Sequence, residues 1–279
     1  MWTLLRIELF KIFKRPRTYI AFAAIAAIVV LIQLAFYVDG ETYVQFMLQN
    51  INSTFDVEGN ILNGYLICFV ILQTLLIHVP LLIALIGGDM IAGEANLGTL
   101  RLLISKPISR SQLVLSKFFA TMLYTLMLLV WMAILSLVLS ILIFGTSDLM
   151  IFKSTQIFIL DQSDVMWRYF AAFGFAAIAM TAVAALSFLL SLFAENAIGP
   201  IVSTMSIVIV FTILTTMDLP LFNSMKPFLF TSHMLGWKGF FDDPVYYPGV
   251  LKSAGILLLH ILVFVSAAVL IFRRKDVLS

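Results

Sequence analysis

The sequence predicts an all-α integral membrane protein with six transmembrane helices, and three observations lead to that class. Hydrophobic residues make up 62% of the 279 residues and charged residues only 11%, whereas a soluble domain carries about 45–50% apolar and about 25% charged residues. Six apolar stretches are long enough to cross roughly 30 Å of hydrocarbon. Basic residues are concentrated in alternate connections. We therefore expect one membrane domain over residues 1-279.

The six predicted spans are separated by short or polar connections. They are Tyr19–Val38, Ile61–Ile91, Phe118–Phe144, Tyr169–Phe193, Ile201–Met217 and Ala254–Phe272. The second stretch is longer than a perpendicular crossing requires, so we expect it to tilt, to kink near Pro80 or to extend beyond the bilayer. Only Ala194–Pro200 joins the fourth span to the fifth, which predicts a tight connection there.

The distribution of basic residues predicts the orientation. Twelve of the seventeen lysines and arginines lie in the N-terminal segment, in the connection between the second and third spans, and at the C-terminus. These three regions share one side of the membrane only if the number of spans is even. Because cytoplasmic connections are enriched in Lys and Arg, we expect this side, with both termini, to be cytoplasmic.

The first 16 residues predict an amphipathic helix that lies on the membrane surface. Its expected apolar face consists of Trp2, Leu5, Leu9, Ile12 and Phe13. Its expected polar face, near anionic headgroups, consists of Glu8, Lys11, Lys14 and Arg15. The alternative is a simple N-terminal extension of the first span, against which Pro16 argues because proline disfavours a continuous helix.

The connections on the other side of the membrane differ from one another. Asp39–Asn60 and Thr146–Trp167 are expected to be medium-length polar loops. Residues 218–253 are rich in both proline and aromatic side chains, so they are too interrupted for a span and too aromatic for a free loop. Aromatic rings favour the headgroup layer. We expect short re-entrant or interfacial helices there, capping the bundle.

Sequence motifs for catalysis are missing from the chain. It has no phosphate-binding loop, no H-E-x-x-H and no G-x-S-x-G. The three histidines, His78, His233 and His260, are far apart in sequence. We therefore expect no enzyme activity, no cofactor and no metal site in this chain. His78 and Asp89 are candidate intramembrane polar sites, since such residues are costly unless paired, and Lys11 or Arg15 is the expected partner of Asp89.

The most informative segment is the loop 92-117, between the second and third spans. Glu94 and the neighbouring glycines mark where the helix leaves the lipid. Thr99–Ser105 predicts a short amphipathic helix, with Leu100, Leu103 and Ile104 on one side and Arg101 towards the other. Pro107 ends this helix, and Ser109 is placed to cap the next one. A short helix held beneath two long spans acts as a lever, because any force on it moves both spans.

This segment resembles the loop of the type-2 ABC transporter permeases, the membrane-spanning subunits of ABC exporters. The matching positions are Glu94, Gly98, Thr99, Leu100, Leu102, Leu103, Pro107, Ile108, Ser109, Arg110 and Lys117. The resemblance implies a coupling helix that docks on a separate ABC ATPase subunit, present in two copies, which binds ATP and Mg. It also implies a second permease chain, identical in a homodimer, in the cell inner (cytoplasmic) membrane of a bacterium.

The resemblance also assigns the residues that contact the ATPase. The expected ATPase-coupling residues are Glu94, Gly98, Thr99, Leu100, Arg101, Leu103, Ile104, Pro107 and Arg110. On this interpretation, Leu100, Leu103 and Ile104 fill a groove of the ATPase, and Glu94 and Arg101 make polar contacts with the ATPase or with the N-terminal helix. The alternative is a plain cytoplasmic loop whose position is set only by its positive charge.

The substrate is less well defined by the sequence. The fifth span carries a mildly polar stripe, a candidate path or interface, made of Ser203, Thr204, Ser206, Thr212, Thr215 and Thr216. Small polar residues also simply pack helices, so that interpretation stays open. Apolar spans favour a lipophilic cargo, a peptide or a lipid-linked molecule. The alternative function is a permease-like subunit that transmits force to an extracytoplasmic accessory protein without moving cargo. We expect no nucleic-acid partner.

Overall fold

The computed structural model describes residues 1–48, 61–105, 107–152, 157–217 and 219–275, without the side chains of residues 47, 48, 101 and 104. In this part of the chain, six helices are long and apolar enough to cross a membrane, which confirms the predicted all-α membrane fold. These spans are Pro16–Phe46, Gly64–Asn96, Arg110–Phe144, Gln162–Phe193, Ile198–Thr216 and Tyr247–Arg274. Most extend beyond the predicted boundaries, because their polar ends continue the helices outside the apolar cores.

The helices and strands follow one another along the chain with short connections. In chain order they are α1 (Trp2–Phe13), α2 (Pro16–Leu48), α3 (Gly64–Gly87), α4 (Asp89–Asn96), α5 (Thr99–Ile104), α6 (Arg110–Ala133), a π-helical turn (Ile134–Val138), α7 (Leu139–Phe144), β1 (Leu149–Phe152), β2 (Ile157–Leu160), α8 (Gln162–Leu190), α9 (Ile198–Thr216), α10 (Pro220–Asn223), α11 (Phe230–Met234) and α12 (Tyr247–Arg274). Three short 3₁₀ turns, Ser191–Phe193, Lys226–Phe228 and Leu235–Phe241, complete the described elements.

Helix α8 forms the centre of the bundle. It packs against α3, α6, α9 and α12, and its middle is rich in fully buried alanines. Small side chains let neighbouring backbones approach closely, which is how helices associate in lipid. The Ser187 hydroxyl donates to the Ala84 carbonyl at 3.1 Å, and so ties α8 to α3 at the end of the second span.

The second span continues beyond α3 through Gly88, which keeps helical backbone angles (φ −68°, ψ −23°). Pro80 lies inside α3, which runs to Gly87, and α4 extends the span from Asp89 to Asn96. A Cβ atom at Gly88 would lie 2.9 Å from the Ala84 oxygen and 3.1 Å from Pro200 at the start of α9. The predicted extension is therefore present, and the glycine at position 88 leaves room for the close approach of α9.

A π-helical turn interrupts the third span between α6 and α7. Gln33 of α2 is buried beside it and donates from Nε2 to the Leu135 carbonyl at 3.1 Å and to Ser140 Oγ at 2.9 Å. These bonds satisfy the amide nitrogen of Gln33 inside the membrane domain, where an unpaired N–H group would be costly. They also join the first span to the third.

Two expected loops contain regular structure. In Thr146–Trp167, β1 and β2 pair antiparallel, with Leu149 opposite Leu160 and Phe152 opposite Ile157. The expected loop is wrong here because two short runs of β-branched, aromatic and other apolar residues favour strands, and three of these side chains are buried. In Asp39–Asn60, α2 continues through a non-helical Asp39 to Leu48, and residues 49–60 lie outside the described part of the chain.

The aromatic segment between the fifth and sixth spans packs on the bundle as short helices, as predicted, although its first residue, Asp218, lies outside the described residues. Trp237 and Phe241 are fully buried, and their rings contact Phe69 of α3. Arg168 of α8 donates to the Phe240 and Asp242 carbonyls at 2.9 and 2.7 Å, which holds the end of the 3₁₀ turn. This segment closes the end of the bundle opposite the N-terminus.

Helix α1 forms as predicted, but its orientation differs from the expected one. Leu5, Leu9 and Phe13 pack against the hydrophobic core and Ile12 is buried, rather than facing lipid. Of the expected apolar face only Trp2 is strongly exposed, at 78%. The expected polar face is also divided, because Glu8 is buried and Lys14 is exposed. The reason is tertiary: α1 packs along α6, which supplies a cation for Glu8.

A substitution at Gly64 tests the close contact between α3 and the third span. A Cβ atom there would lie 2.7 Å from backbone atoms of Ser140 and Ile141. We expect Gly64→Ala to lower the free energy of unfolding by about 1–3 kcal/mol, because backbone atoms cannot move aside as a side chain would. Gly174→Ala is the matched control, since no atom lies within 4 Å of the added methyl. Unfolding in mixed micelles measures both; equal effects would contradict the close packing.

Candidate functional site

A closed ring of four charged side chains lies at one end of the bundle. This charge ring consists of Glu8 and Lys11 of α1, Glu94 of α4 and Lys117 of α6. Lys11 Nζ lies 2.9 Å from Glu8 Oε1 and 2.9 Å from Glu94 Oε1. Lys117 Nζ lies 2.9 Å from Glu8 Oε2 and 2.8 Å from Glu94 Oε2. Each cation therefore meets both carboxylates, and each carboxylate meets both cations.

The charge ring is almost inaccessible to water. The Lys117 side chain is 1% exposed, and both carboxylates are buried, whereas Lys11 closes the ring at the surface. Isolated charges at such positions would be strongly destabilising. The two positive and two negative charges cancel, which makes the arrangement stable as a unit. Removal of any one member leaves the others without full compensation.

Burial and pairing act in opposite directions on the titration of the charge ring. Burial alone would raise the pKa of the Glu8 carboxyl. The attraction and hydrogen bonds of Lys117 and Lys11 lower the pKa by a larger amount, so it lies below its ordinary value of 4.5. Burial lowers the pKa of the Lys11 ammonium, while its bonds to Glu94 and Glu8 raise the pKa above its ordinary value of 10.5. Both groups are therefore held in their charged forms.

A third buried carboxylate, Asp89, lies about one turn before Glu94 of the charge ring. It pairs with Arg15, and its Oδ1 lies 2.9 Å from an Arg17 nitrogen. The expectation of Arg15 as partner is confirmed, and Lys11 is not the partner because Glu8 and Glu94 engage it. A Cβ atom at Gly93 would lie 2.3 Å from Asp89 Oδ1, so glycine there leaves room for the carboxylate.

The short helix α5 is placed by the end of α4. Gly98 adopts a φ of 67°, which a residue with a side chain disfavours, and so reverses the chain after α4. The Thr99 hydroxyl donates to the Glu94 carbonyl at 3.3 Å. The backbone of the residue that completes the charge ring is thus bonded to the start of α5.

The apolar side of α5 faces the protein itself, contrary to the expected role of its leucines. Leu100 is only 4% exposed and Leu103 is partly buried in the core, so Leu100 is not available to fill a partner's groove. The exposed leucines are Leu97 and Leu102, each 67% exposed. The face is reversed because α5 is too short to stay folded unless it packs on the bundle. The side chains of Arg101 and Ile104 lie outside the described part of the structure.

A groove of about 370 Å³ separates α1 from α5. Its lining residues are Lys11, Arg15, Glu94, Leu97, Thr99, Leu102 and Leu103. Partly exposed cations line one wall and exposed leucines line the other. The groove therefore offers both apolar contact and positive charge to a partner at this end of the bundle.

Arg110, an expected ATPase-coupling residue, makes its hydrogen bonds to the C-terminal end of the same chain. It donates to the Arg273 and Lys275 carbonyls at 3.1 and 2.8 Å and so caps the C-terminal end of α12. Lys275 in turn donates to the Leu192 carbonyl at 2.6 Å, next to the connection before α9. Pro107 is exposed between α5 and α6. Of the expected coupling residues, Arg110 thus joins the third and sixth spans.

The polar stripe of the fifth span is engaged largely with its own helix. Thr204, Thr212 and Thr215 each donate to the carbonyl four residues earlier, at 2.7 Å, and Thr216 donates to Ile213 at 3.0 Å. Ser203 and Ser206 are exposed on the outer surface of the bundle. Only Thr204 of the stripe is buried. The stripe does not form a polar path inside the single chain.

His78 also lies on the surface of the bundle. Its Nδ1 donates to the Thr74 carbonyl at 2.8 Å, and its ring is exposed. Among the described residues, no group of three or more His, Cys, Asp or Glu side chains is arranged to hold a metal.

Sequence reasoning missed two of the four charges in the ring. Periodicity assigns Glu8 to a headgroup-facing surface, and Lys117 is expected only as a position of the permease-like loop, so neither is paired with the other members of the ring. A signal was present in the sequence: Glu8 is the only acid among the first 17 residues, and Lys11 follows it three positions later. A lone acid on a basic helix indicates a partner elsewhere in the fold.

The spans and the charge ring define the class: this is a multi-pass membrane protein whose loop between the second and third spans is bonded into the bundle. The chain belongs to the family described as "Protein of unknown function (DUF2705)", whose model matches residues 21–278. The match includes Asp89, Glu94 and Lys117 and leaves out α1.

One relative, "Uncharacterized protein YhcI" of Bacillus subtilis (strain 168), is 24% identical over an alignment of 201 residues that covers 69% of this chain and 63% of the relative. The chain thus matches less than two thirds of that relative's length.

Removal of Lys117 tests whether the charge ring is a unit. We expect Lys117→Met to lower the free energy of unfolding by about 3–5 kcal/mol, because two carboxylates remain buried without their second cation. Lys14→Met removes an exposed cation nearby and should change the free energy by less than about 0.5 kcal/mol. Unfolding in mixed micelles gives both values. Similar losses for the two variants would show that the buried pairs carry no special weight.

The pH dependence of stability follows from Glu8. The pKa of Glu8 is lower in the folded protein than in the unfolded chain. The contribution of Glu8 to the free energy of unfolding is therefore fully present above the ordinary pKa of 4.5, and it is lost as the pH falls through the folded-state pKa. We expect the difference in melting temperature between wild type and Glu8→Gln to be constant near neutral pH and to shrink below pH 4.5. A difference that stays unchanged however far the pH falls below 4.5 would contradict this linkage.

Proposed function

We propose that the chain is the membrane permease subunit of an ATP-binding cassette transporter, coupling ATP hydrolysis by a separate ATPase subunit to export of a substrate. The observation that supports this function is the segment from Asp89 to Ile104. It is bonded to the bundle through buried ion pairs, yet it exposes Leu97 and Leu102 at the end of the molecule. Exposed leucines beside a groove are typical of a protein interaction site.

The contacts of this segment connect it to three spans. A force on α5 acts on α4, which continues α3 in the second span. Through Glu94 the same force acts on Lys117 in the third span and on Lys11 of α1. Through Asp89 it acts on Arg15 and Arg17 at the start of the first span. Buried, mutually neutralising charges resist separation, so the segment moves the spans together.

The groove between α1 and α5 indicates the chemistry of the partner. Its leucines suit an apolar ridge, and its partly exposed Lys11 and Arg15 suit an acidic side chain. On this proposal each of two ATPase subunits presents such a surface. The partner binds ATP and Mg, and this chain supplies only the transmitted movement.

A second identical permease chain is supported by polar groups on the lipid-facing surface. Gln73 and His78 are exposed on α3, well inside the second span. Among the described residues the Gln73 amide has no hydrogen-bond partner. An amide facing hydrocarbon is costly, whereas pairing across a two-fold interface satisfies it. We therefore propose α3 as the dimer contact.

We further propose a cytoplasmic (inner) membrane location with the basic end, which carries both termini, in the cytoplasm. A lipophilic or peptide cargo is supported by the apolar outer surface of the spans. One cleft of about 280 Å³ opens between the first and third spans, and its walls are almost entirely apolar. It is lined by Val30, Gln33, Leu34, Tyr37, Leu139 and Ile143.

Co-purification with the ABC ATPase encoded nearest to this chain tests the proposal. We expect a complex of two permease and two ATPase chains that hydrolyses ATP in lipid. Leu97→Asp with Leu102→Asp should reduce ATPase binding at least about tenfold, because two buried charges would replace apolar contacts. Both leucines are 67% exposed in the single chain, so the permease itself should stay folded.

Leu221→Asp is the matched control, since Leu221 is also strongly exposed, at 78%, but lies in the cap at the opposite end. It should leave ATPase binding unchanged. Failure of wild type to bind any ABC ATPase, or equal loss in both variants, would overturn the proposed partnership.

A further inference from the structure

The outward face of α1 carries a stripe of alternating aromatic and basic side chains. Trp2, Arg6, Phe10 and Lys14 are spaced four residues apart, so they follow one line along the helix. Trp2 is 78% and Phe10 63% exposed. Lys14 Nζ lies 5.3 Å from the centre of the Phe10 ring, a cation–π contact. We refer to these four residues as the outer stripe.

The cations of the outer stripe differ from the other cations near them. Lys11, Arg15 and Arg17 each meet a buried carboxylate. Arg6 and Lys14 have no carboxylate within ion-pair distance among the described residues, and both are exposed. The carboxylates that face α1 are thus engaged on its inner side, and the outer side carries uncompensated positive charge.

The position of α1 indicates what this charge meets. The helix ends at Phe13, and the first span begins at Pro16, so the outer stripe lies at the membrane boundary. Indole and phenyl rings favour the layer between headgroups and acyl chains, and neighbouring cations favour phosphate. We propose that the outer stripe binds anionic phospholipid, with Arg6 and Lys14 on the phosphates and the rings of Trp2 and Phe10 among the acyl chains.

Lipid on the outer stripe acts on the charge ring through the same helix. Glu8 and Lys11 project from the inner side of α1 while the outer stripe faces away from it. Anionic lipid that holds α1 in place therefore stabilises its bonds to Glu94 and Lys117. Through Glu94 this effect reaches the start of α5. The lipid site is thus linked to α4, which leads into α5. The proposed lipid binding does not depend on the proposed ATPase partner.

The test uses the full chain in nanodiscs of phosphatidylcholine with or without phosphatidylglycerol. The preference for phosphatidylglycerol is measured with spin-labelled lipids, and backbone hydrogen exchange is measured over residues 2–13 and 89–100. We expect wild type to prefer the anionic lipid and to exchange more slowly in its presence. Arg6→Gln with Lys14→Gln should lower the preference at least about fivefold, since each cation near an anionic surface contributes about that factor.

Two control variants distinguish lipid binding by the outer stripe from a general effect of positive charge at this end of the bundle. Arg273→Gln with Arg274→Gln removes two exposed cations at the same end of the bundle and should keep the preference. Arg6→Lys with Lys14→Arg keeps the charges and should also keep it. The proposal is overturned if wild type shows no preference, if both Gln pairs lose it equally, or if the charge-preserving pair loses it. Binding of a soluble acidic protein with no lipid preference would likewise reject it.

Discussion

The charge ring of Glu8, Lys11, Glu94 and Lys117 is the constraint on which the basic end of the molecule depends. Four charges lie where water hardly reaches, and they are tolerated because every carboxylate meets two ammonium groups. The ring holds α1 against α6 and holds α4 between them. Since α5 follows α4 after a single glycine-dependent turn at Gly98, the position of the exposed leucines depends on the ring as well.

The two ends of the bundle are closed by different kinds of interaction. At the basic end, ion pairs join helices that are separated by many residues in sequence. At the opposite end, buried aromatic rings of the cap pack on α3 and α8, and Arg168 holds the cap through backbone carbonyls. Between them, the alanine-rich α8 lets the spans approach closely. Few residues of the first, fifth and sixth spans are buried, whereas most residues of the second and fourth are.

This division of roles bears on how movement could pass through the protein. The second span is interior and continues through Gly88 directly into the charged segment. The first and third spans are attached to that segment by Asp89 and Glu94 and to each other by Gln33 beside the π-helical turn. A displacement of α5 is thus shared among three spans. The exposed sixth span is attached separately, through Arg110 and Lys275.

Composition and the length of apolar runs were sufficient to predict six spans, an all-α membrane fold, the helix α1 and short helices in the outer cap, because the need to satisfy backbone groups in lipid leaves few alternatives. They were not sufficient for the direction in which amphipathic helices face. Leu100 and Glu8 are buried because α5 and α1 pack on the chain's own helices, and periodicity cannot distinguish a protein surface from a lipid or partner surface. The hairpin at Leu149 and the pairing of Glu8 with Lys117 also depended on contacts between distant residues, which only the tertiary structure decides.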